Sequence, residues 1–481
     1  MSDNLKAKTL NAVKWSAVDR FGQQAIQLII SILLARWLDV DVFGLIAMLA
    51  VFNALSFVLI DSGFGQALVR KKSNDPNELS TIFFFNLSVG IFLYLLLFFT
   101  APHIAAYYNE PQLTLIARVV FIAIPFNSLY LIPFVKLGIV LDIKSISKVN
   151  ILSTAFSGLI AIALAFANYG VWALAWQTVS YHFFRIIFFH YFVKWKPVPF
   201  FSMTYIKEHW KFSINLLGTS SLNAIFNNIF TFIFGKFYSA TVLGYYYQAY
   251  KQAETVNFTF ISILTGSSYN VFSQIHEDTE RLRRILKEFI HKVAVIVIPV
   301  GFFLIFSAED LIVVLIKEKW LPAVPYFQII NAANLVAPLY LLNINALNAK
   351  GLSRKTFAIE IFKKAMIVAC IFLLVKFGGI AMIAGYAAVC WISYFISMRE
   401  VKFSLSYYWS NQINDILPAF GVGLIVGAGC FLITSLNLSH LISLIIKSIL
   451  AVIFYFAAVR ILYKDFFYKS LDYAKKFLNR K

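Results

Sequence analysis

Charge is scarce in this chain. Asp, Glu, Lys and Arg make up only 14% of its 481 residues, against roughly 25% in a soluble protein. That shortage excludes a solvated globular domain of this length. Hydrophobic residues reach 60%, mean hydropathy is +0.76, and the apolar residues form runs of about 20, the length that spans a bilayer. Cysteine is nearly lacking as well. Cys370, Cys390 and Cys430 all fall inside expected spans, so there is no disulfide framework and no Cys/His metal spacing. Also missing are a Walker-type Gly-Lys-Ser/Thr loop, a nucleophile elbow and paired acids on a large loop. This argues against an ATP-driven pump and against a membrane glycosyltransferase or polymerase. Acids within the spans are few, chiefly Asp19 and Glu254. That disfavours a cavity for cationic drugs.

What is present is a series of helices. A span of about 20 residues as the unit predicts about fourteen. Six lie near 15–35, 42–60, 81–101, 115–135, 148–167 and 170–192. Six more lie near 212–235, 242–265, 289–307, 323–345, 357–376 and 379–398, followed by two near 415–435 and 441–461. The first run is too long and too polar for a cleavable signal peptide and lacks a small-residue cleavage site. The net charge of +19 does not point to nucleic acid, because 32 of the 42 Lys and Arg fall in alternate segments, counting from the N-terminus. The opposite loops hold only Arg36, Lys236, Lys317, Lys319 and Lys376. By the positive-inside rule both termini are cytoplasmic. The basic tail, with Lys475, Lys476, Arg480 and Lys481, suits anionic headgroups.

The first span carries a polar stripe: Asp19, Gln23 and Gln27 at i, i+4 and i+8, with Arg20 and Gln24 beside them. Lipid does not tolerate such a stripe, so it faces protein or a water-filled cavity. The stretch recurs 200 residues later: Gln23 matches Asn223, Gln27 matches Asn227, Arg36 matches Lys236 and Gly44 matches Gly244. Leu129-Tyr130-Leu131 matches Leu339-Tyr340-Leu341 at an offset of 210. Six helices repeated with the same cytoplasmic start make parallel repeats. The expected fold is an all-α polytopic membrane protein of two six-helix lobes, related by a pseudo-twofold along the membrane normal, plus two C-terminal helices. The expected divisions are an N-lobe at 1–195, a cytoplasmic linker at 196–208, a C-lobe at 209–402, and the last two helices with the basic tail at 403–481. The charged stretch from Gln274 to Lys292 reads as a short cytoplasmic amphipathic helix leading into the ninth span. Asp61-Ser62-Gly63 reads as a helix stop and turn.

Several motifs carry a family likeness. They are Phe43-Gly44-Leu45, Asp61-Ser62-Gly63-Phe64-Gly65-Gln66-Ala67-Leu68, Tyr108-Asn109-Glu110-Pro111, Gly170-Val171-Trp172-Ala173-Leu174, Gly235-Lys236-Phe237, Gly244-Tyr245-Tyr246 and Glu318-Lys319-Trp320-Leu321-Pro322. In this order the chain resembles the Wzx-type polysaccharide flippases of the multidrug/oligosaccharidyl-lipid/polysaccharide exporter superfamily. The resemblance implies flipping of undecaprenyl-diphosphate-linked oligosaccharide across the bacterial inner membrane, with membrane lipids and a downstream polysaccharide polymerase as partners. A multidrug or small-solute cation antiporter of the same superfamily is the alternative. One departure is Gln248, where relatives often carry a basic residue; Lys251 lies one helical turn later.

A diphosphate with a polar glycan needs cations and hydrogen-bonding groups in the cavity. Arg20 and Lys251 are the candidate phosphate contacts, Arg20 through its planar fork. Gln23, Gln27, Asn223, Asn227, Tyr247, Gln248 and Asn331 suit the glycan path. Glu254, three residues from Lys251, and Asp19 are the candidate carriers of a coupling H⁺ or Na⁺; no organic cofactor or bound metal is implied. Each polar residue has a plainer reading: Arg20 paired with Asp19, Lys251 paired with Glu254, and the amides bonding between helices. His182 and Arg185 read as residues snorkelling toward the cytoplasmic interface.

Overall fold

The computed structural model describes residues 2–61 and 63–462. Ser62 and the basic tail with Lys475, Lys476, Arg480 and Lys481 lie outside the described residues. Every regular element among the described residues is a helix, as the hydropathy pattern requires, because in lipid the backbone groups must be satisfied within the segment.

The chain divides into two compact units, one up to Tyr247 and one from Gln248. The first holds α1 (Ser2–Trp37), α2 (Val40–Asp61), α3 (Phe64–Lys71), α4 (Pro76–Tyr108), α5 (Leu113–Val120), α6 (Ala123–Ile139), α7 (Ile143–Phe166), α8 (Val171–Val193), α9 (Met203–Phe237) and the start of α10 (Ala240–Thr265). The second holds the rest of α10, then α11 (Ser268–Gln274), α12 (Thr279–Phe306), α13 (Ala308–Ile316), α14 (Val324–Asn334), α15 (Ala337–Ala349), α16 (Ser353–Leu374), α17 (Gly379–Leu405), α18 (Trp409–Thr434) and α19 (His440–Leu462). The seventh span, α9, packs along α2 within the first unit.

Each of the fourteen expected spans falls on one of these helices or on a broken pair. The fourth breaks between α5 and α6, and the tenth between α14 and α15. Pro125 and Pro338 stand in the first turn after each break, where a missing N–H costs least. The charged stretch before the ninth span is continuous with it. Asp278 caps α12, its carboxylate accepting from the Arg281 N–H at 2.9 Å, and no glycine or proline interrupts the helix before Pro299. Asp61 does end α2, and Gly63, at φ +74°, turns the chain into α3, a conformation a Cβ disfavours.

Among the described residues, nine segments are long and apolar enough to cross a membrane: α2 with α3, α4, α5 with α6, α7, α12, α14 with α15, α17, α18 and α19. The other five expected spans are α1, α8, α9, α10 and α16. Charged residues within these five include Asp19, Arg20, Arg185, Lys251, Glu254, Glu360 and Lys363. Packing relies on small residues, as it must where lipid is as apolar as the core. Gly22 lies against Ile151 and Gly158 against Ile30 where α1 meets α7. Gly423 and Gly427 lie against Phe302 and Phe306 where α18 meets α12.

Two glycine contacts in the first unit are closer still. A Cβ on Gly44 of α2 would sit 1.9 Å from the carbonyl oxygen of Ala240, and one on Gly244 would sit 2.2 Å from that of Val40. The two contacts exchange under the 200-residue offset of the repeat.

Candidate functional site

The polar stripe of α1 turns toward α7. The Asp19 carboxylate accepts from Gln23 Nε2 at 2.8 Å and from Asn150 Nδ2 at 3.2 and 3.4 Å. Ser147 Oγ donates to the Trp15 carbonyl at 2.9 Å, fixing the register of the two helices. Asp19, Gln23 and Gln27 are half-buried, whereas Arg20 is exposed.

A second cluster lies where α6 meets α8. Tyr130 is buried, and its hydroxyl lies 2.6 Å from Asn127 Nδ2, 3.0 Å from an Arg185 terminal nitrogen and 2.9 Å from His182 Nδ1. The Arg185 guanidinium stands 4.3 Å above the Tyr130 ring, with Phe189 at 5.3 Å and Tyr181 at 5.5 Å. His182 also packs on Phe57 of α2, with ring centroids 4.9 Å apart. Neither residue snorkels. Tyr130 draws both inward, because a buried hydroxyl must be satisfied and a desolvated guanidinium gains from the ring faces.

In the second unit, Tyr340 is the repeat counterpart of Tyr130. Its hydroxyl donates to Glu360 Oε1 at 2.6 Å, and Lys363 Nζ lies 4.6 Å from its ring. Lys251 is half-buried, and the exposed Glu254 carboxylate lies in its field. Tyr247 is half-buried and Gln248 is fully buried, while Asn223 and Asn227 of the first unit are exposed. Asn331 is buried and donates to the Phe327 carbonyl of its own helix at 2.8 Å. Asn343 of α15 donates to Ser397 Oγ of α17 and Gln412 Oε1 of α18, an interhelical network. An apolar groove of about 340 Å³ opens between α12, α18 and α19, lined by residues that include Pro299, Phe303, Val452 and Tyr455.

The entry to α9 is strapped to the α3–α4 corner. Ser80 and Thr81 side chains accept from the backbone N–H groups of Val198 and Ser202. The buried Glu78 carboxylate lies 2.5 Å from His209 Nε2 and 3.0 Å from Lys71 Nζ, and Ser73 Oγ donates to it. Glu208 completes a group with metal-ligand spacing, but the Lys71 ammonium stands 2.8 Å from it and already bridges the two carboxylates.

Beside this group, Asp75 is held below the usual carboxylate range, first by the Tyr205 hydroxyl, which donates to it at 2.6 Å, and then by the Asn77 N–H. The Tyr205 hydroxyl is raised, chiefly by the same bond. A depressed folded-state pKa contributes stability above the ordinary value of 3.8 that is lost as pH falls through the folded value. Tyr205→Phe is expected to move the Asp75 titration back toward 3.8, read by carboxyl-carbon NMR in micelles. An unmoved titration would assign the effect to the helix cap alone.

Sequence reasoning found Asp19 and Gln23 but not their partner Asn150. It missed the inward turn of His182 and Arg185. The signal available was the repeated Leu-Tyr-Leu, whose two tyrosines each lie under a cation.

Comparison with known proteins agrees with the motifs. The teichuronic acid biosynthesis protein TuaB of Bacillus subtilis (strain 168) is 24% identical over 432 residues, covering 88% of this chain and 89% of TuaB. The lipopolysaccharide biosynthesis protein WzxC of Escherichia coli (strain K12) is 24% identical over 412 residues, covering 83% of this chain and 82% of WzxC. Among solved structures, the lipid II flippase MurJ in an inward closed conformation matches with a TM-score of 0.72 at 16% identity, covering 94% of this chain and 99% of MurJ. An inward-facing multidrug resistance MATE family transporter matches with a TM-score of 0.61 at 13% identity, covering 80% of this chain and 94% of that one. At these identities the structural likeness shows the fold alone. Residues 33–325 match the family described as polysaccharide biosynthesis protein. That match covers more than half of the sequence, and the chain belongs to the polysaccharide biosynthesis protein family.

Proposed function

We propose that this chain flips an undecaprenyl-diphosphate-linked oligosaccharide, an O-antigen, capsule or exopolysaccharide repeat unit, from the cytoplasmic to the periplasmic leaflet of a bacterial inner membrane. The observation that carries the reading is the set of cations and amides on the membrane-length helices α1, α9 and α10, namely Arg20 and Lys251 with Gln23, Gln27, Asn223, Asn227 and Gln248. Cations suit a diphosphate, and amides suit a hydrated glycan. The relatives support the class of cargo, being named for teichuronic acid and lipopolysaccharide biosynthesis. The apolar groove beside α18 and α19 offers an isoprenoid chain a dry seat.

In this reading Arg20 and Lys251 contact phosphate, and both termini are cytoplasmic. Movement follows alternating access, coupled to H⁺ or Na⁺ carried by Asp19, by Glu254, or by both. A downstream polymerase consumes the flipped unit. Deleting the gene is expected to trap lipid-linked oligosaccharide on the cytoplasmic leaflet and to remove surface polysaccharide. Unchanged polysaccharide with altered drug sensitivity would instead make the chain an antiporter. Changing Arg20 and Lys251 together to alanine is expected to abolish export at normal protein level. Full export by the double variant would reject both as phosphate contacts.

A further inference from the structure

The Tyr130 cluster has a surplus of donors. A tyrosine hydroxyl offers one proton and two lone pairs. Asn127 Nδ2 and the Arg185 terminal nitrogen can only donate, so they take the lone pairs. The Tyr130 proton therefore goes to His182 Nδ1, which fixes that nitrogen as an acceptor and leaves the histidine proton on Nε2. Tyr130 is then saturated and accepts nothing more. Arg185 keeps four of its five N–H groups beyond this bond, and its Nε is buried with no hydrogen-bond partner. Among the described residues no carboxylate lies within ion-pair distance of Arg185. Asp19 is felt by Arg185 through space, but its oxygens accept from Gln23 and Asn150.

The counterpart tyrosine offers a comparison, although its cation comes from α16 and not from the counterpart of α8. Tyr340 also lies under a cation, Lys363, but there the hydroxyl donates to a carboxylate, Glu360. The second unit's station thus carries its own countercharge. The Tyr130 hydroxyl instead meets Asn127, His182 and Arg185, with no carboxylate bonded to it.

We propose that Arg185, with the His182 Nε2–H beside it, is an anion-binding station of the first unit that takes a phosphoryl group of the lipid diphosphate. This rests on the flippase reading and adds to it a residue on α8 that the charge pattern alone assigns to the interface. The guanidinium fork suits two oxygens of one phosphate. The surrounding rings of Tyr130, Tyr181 and Phe189 exclude water and strengthen the contact.

The test uses the full chain in phosphatidylcholine nanodiscs, titrated with radiolabelled undecaprenyl diphosphate and, separately, with uncharged undecaprenol. Arg185→Gln is expected to weaken diphosphate binding by about tenfold or more, the scale of a lost charged hydrogen bond, while undecaprenol binding is unchanged. Lys363→Met is expected to change neither. If Arg185→Gln does not yield monodisperse protein, Arg185→Lys carries the test. It keeps the charge and loses the fork, and it is expected to weaken only the diphosphate. Equal diphosphate affinity in wild type and the Arg185 variant overturns the station and makes Arg185 an internal countercharge for Asp19, leaving the flippase reading intact. A wild type that binds the diphosphate no better than undecaprenol overturns the flippase reading itself, and the station with it.

Discussion

Lys447→Met is expected to destabilise the second unit by about 3–5 kcal/mol, the range for removing one partner of a buried pair. Lys447 and Asp310 are 2% and 7% exposed, and Nζ lies 2.5 Å from Oδ2. Ser443 Oγ donates to the same carboxylate at 2.7 Å, and His440 Nδ1 lies 2.8 Å from its other oxygen. The cluster ties α19, which has no counterpart in the repeat, to the first turn of α13. Without Lys447 the carboxylate stays buried and loses the ammonium that matches its charge. Asp310→Asn in the same chain is expected to restore most of the loss, because replacing a buried pair by neutral groups is close to neutral. Thermal unfolding in detergent reads both. A single variant that loses under about 1 kcal/mol would mean that water reaches the pair.

The second large effect is expected at Gly44. Gly44→Ala places a methyl group 1.9 Å from the Ala240 carbonyl oxygen, which is backbone and cannot rotate away. The start of α10 must then move off α2. The cost is set at the upper end of overpacking, about 3 kcal/mol, with loss of the close Cα–H···O contacts that such crossings allow. Gly218→Ala in α9 is the control. No atom lies within 4 Å of its added Cβ, and alanine is the better helix former by about 1 kcal/mol. Equal expression and unfolding temperature for the two variants would show that the crossing is loose in the membrane.

The reach of the sequence can be judged from particular residues. The helices were legible because a bilayer imposes one length and one composition, and alternate loops carry the charge. The family was legible from motifs around Gly44, Asp61 and Trp320. The breaks before Pro125 and Pro338 were not, because both prolines sit inside apolar runs that hydropathy reads as continuous. Asn150 was not, because it is 131 residues from Asp19 and no local pattern links them. Arg185 was misread for a related reason. An arginine near the end of a span can turn outward or inward with the same local sequence, and Tyr130 on another helix decides which. Asn331 shows the converse. Its polar side chain within a span suited a glycan path, yet its amide bonds its own helix at Phe327.

The paired glycine contacts are reciprocal. Val40 meets Gly244 and Ala240 meets Gly44, so position 40 of one copy touches position 44 of the other, and the reverse. Such i-to-j and j-to-i reciprocity characterises an isologous contact between identical chains. At this crossing the two copies meet as two identical chains would across a twofold contact. A side chain larger than hydrogen at either glycine would meet the backbone of the other copy, so each copy limits the other at this crossing.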